Sequence, residues 1–233
     1  MGAAVTPKDD FHAISLSGGK DSTCLTLLMI ERGLPIDAVI WADTGMEFPE
    51  MYDHIAKVDE YLYRERDLHI TALRSPKSFE YMMFDEPKQK PSALENRARL
   101  GVPPYGNGWP GIKVRWCTGQ LKTHLISKEV NRLKGAHQLQ QYVGIAADEA
   151  WRCKGLNYPL VDWGITEAQA LRICYDRGFD FGGLYEIYHR ASCWCCPSPA
   201  GAGRRSCRGK PRRPERSSTW TPWSAGWRRP SPG

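Results

Sequence analysis

The run Ser15-Leu16-Ser17-Gly18-Gly19-Lys20-Asp21-Ser22-Thr23 constrains this chain more than any other. On its N-terminal side, Phe11 to Ser17 reads as a short buried strand carrying Ala13, Ile14 and Leu16 into a Ser-Gly-Gly turn. On its C-terminal side, Asp21 to Glu31 carries Cys24, Leu25, Leu27, Leu28 and Ile30 without a breaker and stops at Gly33, which reads as a helix with a wide apolar face. A glycine pair lets backbone approach a ligand closely, and the helix that follows presents unpaired N–H groups and a partial positive charge. Lys20 adds a full charge, and Ser17, Ser22 and Thr23 add hydroxyl donors. The junction is therefore expected to hold phosphate. It is not the ordinary Walker loop, which needs Gly where Ile14 stands and Ser or Thr where Asp21 stands.

Beyond the junction, Ile36 to Ala42 reads as a second strand, Pro49 to Tyr63 as a second helix and Leu68 to Leu73 as a third strand. That rhythm predicts an α/β fold with an open, mostly parallel twisted sheet flanked by helices, Rossmann-like in class. Pro87 to Gly111 is rich in proline and glycine and is expected to be a long loop with a short helix near Ala93 to Arg99, a place for a lid or substrate loop. Trp116 to Leu133 returns to helical spacing, Gln141 to Ala146 reads as a buried strand, and Thr166 to Gly178 as a helix opened by a Thr cap and closed by Gly. The expected organisation is a nucleotide-binding α/β domain over 1–150, a helical segment ending in a cysteine motif over 151–197, and a basic tail over 198–233.

Net charge is +6, which on its face suggests a polyanionic partner, but its position removes most of that meaning. From Pro197 onward there are nine Lys and Arg against Glu215 alone, whereas residues 1–196 carry 23 basic and 25 acidic side chains. The tail also has no Ile, Leu, Val, Met, Phe or Tyr, so it is expected to be disordered. Its abrupt change of composition is also what a GC-rich frame read out of register gives. A nucleic-acid module built on this tail and its three tryptophans is a further alternative, although nucleic acid is not required as a partner. No stretch is long and apolar enough to span a bilayer, and a cytoplasmic protein with no membrane partner is expected.

The string SGGKDS after a strand resembles the PP-loop of the adenine nucleotide α-hydrolase-like superfamily, whose members bind ATP pyrophosphate or a related phosphate. Trp41-Ala42-Asp43-Thr44-Gly45-Met46-Glu47-Phe48-Pro49-Glu50 is similar to the DTG-x-x-FPE segment of the phosphoadenosine phosphosulfate (PAPS) reductase family. Both motifs fall at the carboxyl ends of adjacent strands, where open parallel sheets bind ligands. The resemblance implies an adenine nucleotide, PAPS or ATP, on Ser17, Gly18, Gly19, Lys20, Asp21, Ser22 and Thr23. It implies a nucleotide or Mg²⁺ contact at Asp43 and a close turn at Thr44 and Gly45, with Lys20 and Asp43 as catalytic candidates. Arg115-Trp116-Cys117-Thr118 with Leu121-Lys122, Gly144 to Arg152, and Tyr158 to Trp163 extend the resemblance to about residue 197. They make Arg115, Lys122, Gly144 and Arg152 substrate-binding candidates. Two departures bear on the reaction: Ala146 and Ala147 stand where true PAPS reductases have arginines, and Cys207 lies in Arg-Ser-Cys-Arg instead of the family's Glu-Cys-Gly. Fold and nucleotide site are supported by the motifs, whereas sulfonate reduction is not.

Eight cysteines without a secretion signal point to thiol, metal or cluster chemistry. Ser192-Cys193-Trp194-Cys195-Cys196-Pro197 contains a C-x-x-C pair whose soft thiolates suit zinc or iron–sulfur. The resembling families bring a cysteine at the place of Cys117 to such a motif, so Cys117, Cys193, Cys195 and Cys196 are the candidate ligands of a [4Fe-4S] cluster or Zn²⁺. Cys153, an exchangeable small molecule or nothing could instead fill the fourth place. A redox or sulfur-carrying thiol pair is the alternative, with a thiol or sulfur-donor protein as partner. Cys24 and Cys174 lie on apolar helix faces and read as core. None of the six histidines has metal spacing, and only His189 is kept as a reserve ligand. Two reactions follow: PAPS reduction through thiols, or an ATP-pyrophosphatase-type reaction with Mg²⁺ that adenylates an acceptor so that sulfur displaces AMP.

Overall fold

A computed structural model describes residues 10–111, 114–191 and 193–196. The expectation for the 198–233 tail, including Cys207, lies outside these residues.

Four strands, β1 (Asp10–Leu16), β2 (Ala38–Asp43), β3 (Ile70–Arg74) and β4 (Gln138–Val143), form one parallel sheet in the order β3-β2-β1-β4. Because side chains alternate across a strand, the two faces read directly from it. Ile14 and Leu16 of β1 and Val39 and Trp41 of β2 join the core made with α1 (Lys20–Glu31), α2 (Pro49–Arg66) and α7 (Glu167–Asp176). Ala13, Ala38 and Ile40 point to the opposite face, against Val130, Ile126 and Leu133 of α5 (His124–Lys134). The fold is thus the helix-flanked parallel α/β sheet expected from the strand–helix rhythm. α3 (Phe79–Phe84) and α4 (Pro91–Arg99) follow β3, and two short helices, α6 (Pro159–Asp162) and α8 (Leu184–Ile187), flank α7. Among the described residues, no helix is long and apolar enough to cross a membrane.

Three local readings change. The strand placed at Gln141–Ala146 is Gln138–Val143, an edge strand whose residues are mostly half-buried, so its polar Gln138, Gln140 and Gln141 belong to it. The helix placed at Trp116–Leu133 is interrupted by a π-turn at Thr118–Thr123 before α5 begins. Helix α3, capped by the Ser78 hydroxyl accepting from Tyr81 N, precedes the Pro-rich loop and buries Phe79, Met82 and Met83. By contrast, α7 opens as expected, on a reciprocal Thr166–Gln169 capping box, and is followed by Gly178 at φ +82°.

Candidate functional site

The carboxyl ends of β1 and β2 carry the two motifs side by side, joined in register through Leu16 and Trp41. At the first, Gly18 has φ +82°, and a Cβ there would lie 2.6 Å from Met51 Cε and 3.2 Å from Ile55 Cδ1. The positive φ is what favours glycine here, since the tips of Met51 and Ile55 are flexible. Gly144, at the end of β4, is held more tightly: a Cβ would sit 2.5 Å from both N and Cα of Ser22 and 2.6 Å from the Asp21 carbonyl carbon. The first turn of α1 therefore rests on the bare backbone of Gly144, which gives this substrate candidate a packing role.

Inside the loop the hydroxyls bond one another. Ser17 and Ser22 Oγ are 2.9 Å apart, Ser17 N–H donates to Ser22 Oγ, and Ser22 Oγ donates to the Gly19 carbonyl at 3.0 Å. Thr23 is fully buried and its hydroxyl reaches the Gly18 carbonyl and His54 Nε2 (3.0 Å), so it holds the loop to α2. His54 packs at a tilt on Phe181, ring centroids 4.2 Å apart, and burial lowers its pKa to about 4, so it is neutral.

Lys20 is almost fully buried. Its ammonium donates to Glu167 Oε1 at 2.8 Å and lies 3.4 Å from Asp21. Asp21, Glu149 and Glu167 bring ligand atoms within 4.8 Å of one another. Arg152 and Arg190 both pair with Glu149, and Arg190 lies 3.6 Å from Glu167, so the three acids are balanced by three cations. Burial, opposed by Lys20 and reinforced by Glu167, raises the Asp21 pKa to about 6. The substrate candidate Arg152 belongs to this ion network.

At the second motif, Asp43 Oδ1 accepts from Gly45 N–H (2.7 Å) and from the Tyr52 hydroxyl (2.9 Å), with Arg74 Nε 3.5 Å from its other oxygen. Gly45, at φ +77°, makes the turn. Thr44 directs both N–H and hydroxyl onto Glu47, a residue that the motif-based reading did not single out. The buried Glu47 carboxylate also accepts from Met46 N–H, from Lys122 Nζ at 3.0 Å and from Cys193 Sγ at 3.3 Å. Burial alone would raise its pKa. Lys122 and the hydrogen bonds outweigh that and hold it below the ordinary range, while Glu47 in turn holds Lys122 above its own. The pair is ionised.

The cysteine motif docks on this turn as a strand-like edge. Cys193 bridges Glu47 antiparallel, Trp194 N–H donates to the Met46 carbonyl at 3.0 Å, and Thr44 Oγ1 lies 3.5 Å from Cys193 Sγ. Cys117, Cys193 and Cys195 share one apolar cluster with Met46, Phe79, Met82, Met83, Trp116 and Leu121. Burial pushes the Cys193 and Cys195 thiols up to about 12, with Cys193 and Cys117 adding to the effect on Cys195. Cys196 is exposed. Among the described residues no three cysteine sulfurs lie within 4.8 Å of one another, a wider spread than the roughly 3.8 Å between thiolates that Zn–S bonds of about 2.3 Å require. Thiols are by their chemistry donors for a soft metal or an iron–sulfur cluster. Arg115 is exposed just before the π-turn, and His189 is exposed as well. Cys24 and Cys174 are fully buried core residues between α1 and α7.

A Ser-Gly-Gly-Lys turn and a group of thiols at the carboxyl end of a parallel sheet define the class, an α/β domain. Residues 12–97 match the family described as Phosphoadenosine phosphosulfate reductase domain. Among solved structures, the U34-tRNA thiolase NcsA from Methanococcus maripaludis, described with its [4Fe-4S] cluster, is similar at 18% identity over 81% of this chain, with a TM-score of 0.33. A 6-phospho-α-glucosidase from gut microorganisms, in complex with NAD and glucose-6-phosphate, is similar at 14% identity over 61% of this chain, with a TM-score of 0.25. This chain spans 50% of the first and 35% of the second. No curated protein matches it.

Proposed function

We propose that this chain is an enzyme that binds an adenine nucleotide at Ser17–Thr23 and carries out sulfur chemistry beside Cys117, Cys193, Cys195 and Cys196. The observation that carries the reading is the seat of Cys193 on Thr44 and Glu47, which sets a thiol at the end of the strand next to the phosphate loop. Lys20 stabilises charge on the phosphate, released from Glu167 when the nucleotide enters, and the amides at the start of α1 add donors. Asp43 keeps the turn closed at Gly45 and presents its remaining oxygen toward Arg74. Glu47 accepts from the Cys193 thiol and holds its position, and Lys122 is the cation beside it that would favour the thiolate once a proton leaves. A [4Fe-4S] cluster, or Zn²⁺, would be held by the four cysteines and would supply redox or sulfur-activating chemistry when bound. Mg²⁺ accompanies the nucleotide if that nucleotide is ATP.

Between the two reactions, the domain match favours PAPS, whereas Ala146 favours ATP. Ala146 is wholly buried, at a place where the PAPS-reducing relatives it resembles carry arginine. On the ATP reading, an acceptor oxygen attacks the α-phosphorus, pyrophosphate leaves, and sulfur then displaces AMP from the adenylated acceptor. The test is anaerobic incubation with ATP and an acceptor mixture, or with PAPS and a thiol reductant, following pyrophosphate or sulfite. Release of one product is expected. Release of neither overturns the proposal.

A further inference from the structure

The Ser17, Gly19 and Lys20 amides of the phosphate loop already have protein partners, and one of those partners comes from far along the chain. Lys20 N–H, at the first position of α1, donates to the Tyr185 hydroxyl at 2.8 Å. The same hydroxyl would lie 3.2 Å from a Cβ on Gly19, and the Ala191 carbonyl 3.5 Å from it, so the segment after α7 arrives directly on the loop. The Tyr185 ring is fixed there, edge-on to Phe181 at 4.8 Å and 5.8 Å from the Lys20 ammonium. Two residues past Ala191, the same segment bridges Glu47 through Cys193. A phosphate entering the loop needs the Lys20 amide, which is among the groups that a helix N-terminus offers an anion.

We propose that the Tyr185 hydroxyl is a gate of the anion site, occupying the Lys20 amide in the free protein and yielding it to the nucleotide phosphate. This rests on the reading of Ser17–Thr23 as a phosphate loop. A neutral phenol oxygen makes a weaker bond to an amide than a phosphate oxygen does, so exchange favours the anion, but the displaced hydroxyl costs about one ordinary hydrogen bond. Tyr185 thereby sets affinity without being a phosphate ligand itself, and it links filling of the loop to the segment that carries Cys193.

The test is calorimetric titration of the full chain with inorganic pyrophosphate. Tyr185→Phe keeps the ring against Phe181 and removes the hydroxyl, and is expected to tighten pyrophosphate binding about fivefold, the equivalent of one neutral hydrogen bond. In parallel, protein carrying 3-fluorotyrosine is followed by fluorine NMR, with the Tyr185 signal assigned by its absence in the Tyr185→Phe protein. That signal is expected to move on pyrophosphate addition. Unchanged or weaker binding by Tyr185→Phe, or a Tyr185 signal that stays in place while pyrophosphate binds, overturns the gate and leaves the phosphate loop standing. Absence of binding by both proteins overturns the phosphate reading together with the gate.

Discussion

Asp21→Asn is expected to stabilise the protein at pH 7 by about 2 kcal/mol, and the gain is expected to vanish near pH 4. The sign follows from linkage. Asp21 titrates at about 6 in the folded chain against an ordinary 3.8, so between those values the native state holds a proton that the unfolded chain has released, and stability falls as pH rises. His54 does the opposite. Its folded pKa of about 4 against 6.5 means that the unfolded chain takes up the proton first as pH falls, and about 3 kcal/mol of stability is lost between pH 6.5 and 4. In the wild type the two slopes largely cancel across their shared window. Removing the Asp21 carboxyl leaves the His54 slope alone, so the variant should lose stability steeply on acidification where the wild type stays nearly flat. Urea unfolding at several pH values between 4 and 7 measures both curves. A variant no more stable than wild type at pH 7 would contradict the buried, unfavourable charge. A candidate site residue that weakens the fold carrying it fits a stability–activity trade-off.

The second large effect is at Gly144. An alanine methyl would need room where Ser22 N and Cα stand 2.5 Å away, and both are backbone atoms of the first turn of α1. A flexible side chain could swing aside, but this turn cannot move without shifting the phosphate loop. Gly144→Ala is expected to cost at least about 3 kcal/mol or to prevent folding. Gly119 is the matching control: it lies in the π-turn and a Cβ there meets nothing within 4 Å, so Gly119→Ala is expected to be neutral or to stabilise by up to about 1 kcal/mol. Thermal unfolding of the two variants separates them. Equal melting temperatures would rule out the close contact between Gly144 and α1.

The parts of the site legible in the sequence are those made by contiguous residues. Ser17 to Ser22 announces itself because strand, glycine pair and helix start follow one another without a gap, and the Asp43–Gly45 turn does so for the same reason. Cys193 was legible from its C-x-x-C spacing, whereas Lys122 and Cys117 were legible only through resemblance. Glu47 sits inside the DTG-x-x-FPE string, yet its importance comes from Lys122 and Cys193, 75 and 146 residues away. Tyr185 is 165 residues from Lys20, and Glu167 is 147. No local period or propensity encodes such meetings. The strand reading failed at β4 for a related reason. An edge strand need bury only part of its surface, so Gln138-Leu139-Gln140-Gln141 carries a weak apolar signal and the reading slid toward Val143–Ala146.

The central claim is that Ser17–Thr23 holds the phosphate of an adenine nucleotide with Lys20 as its cation. Equilibrium dialysis of the wild-type chain and Lys20→Ala against ATP and against PAPS tests it most directly. The account predicts that the wild type binds one of the two nucleotides and that Lys20→Ala weakens that binding at least about tenfold, the loss of one charge-assisted contact. Equal binding by both proteins, or none by the wild type, would contradict it.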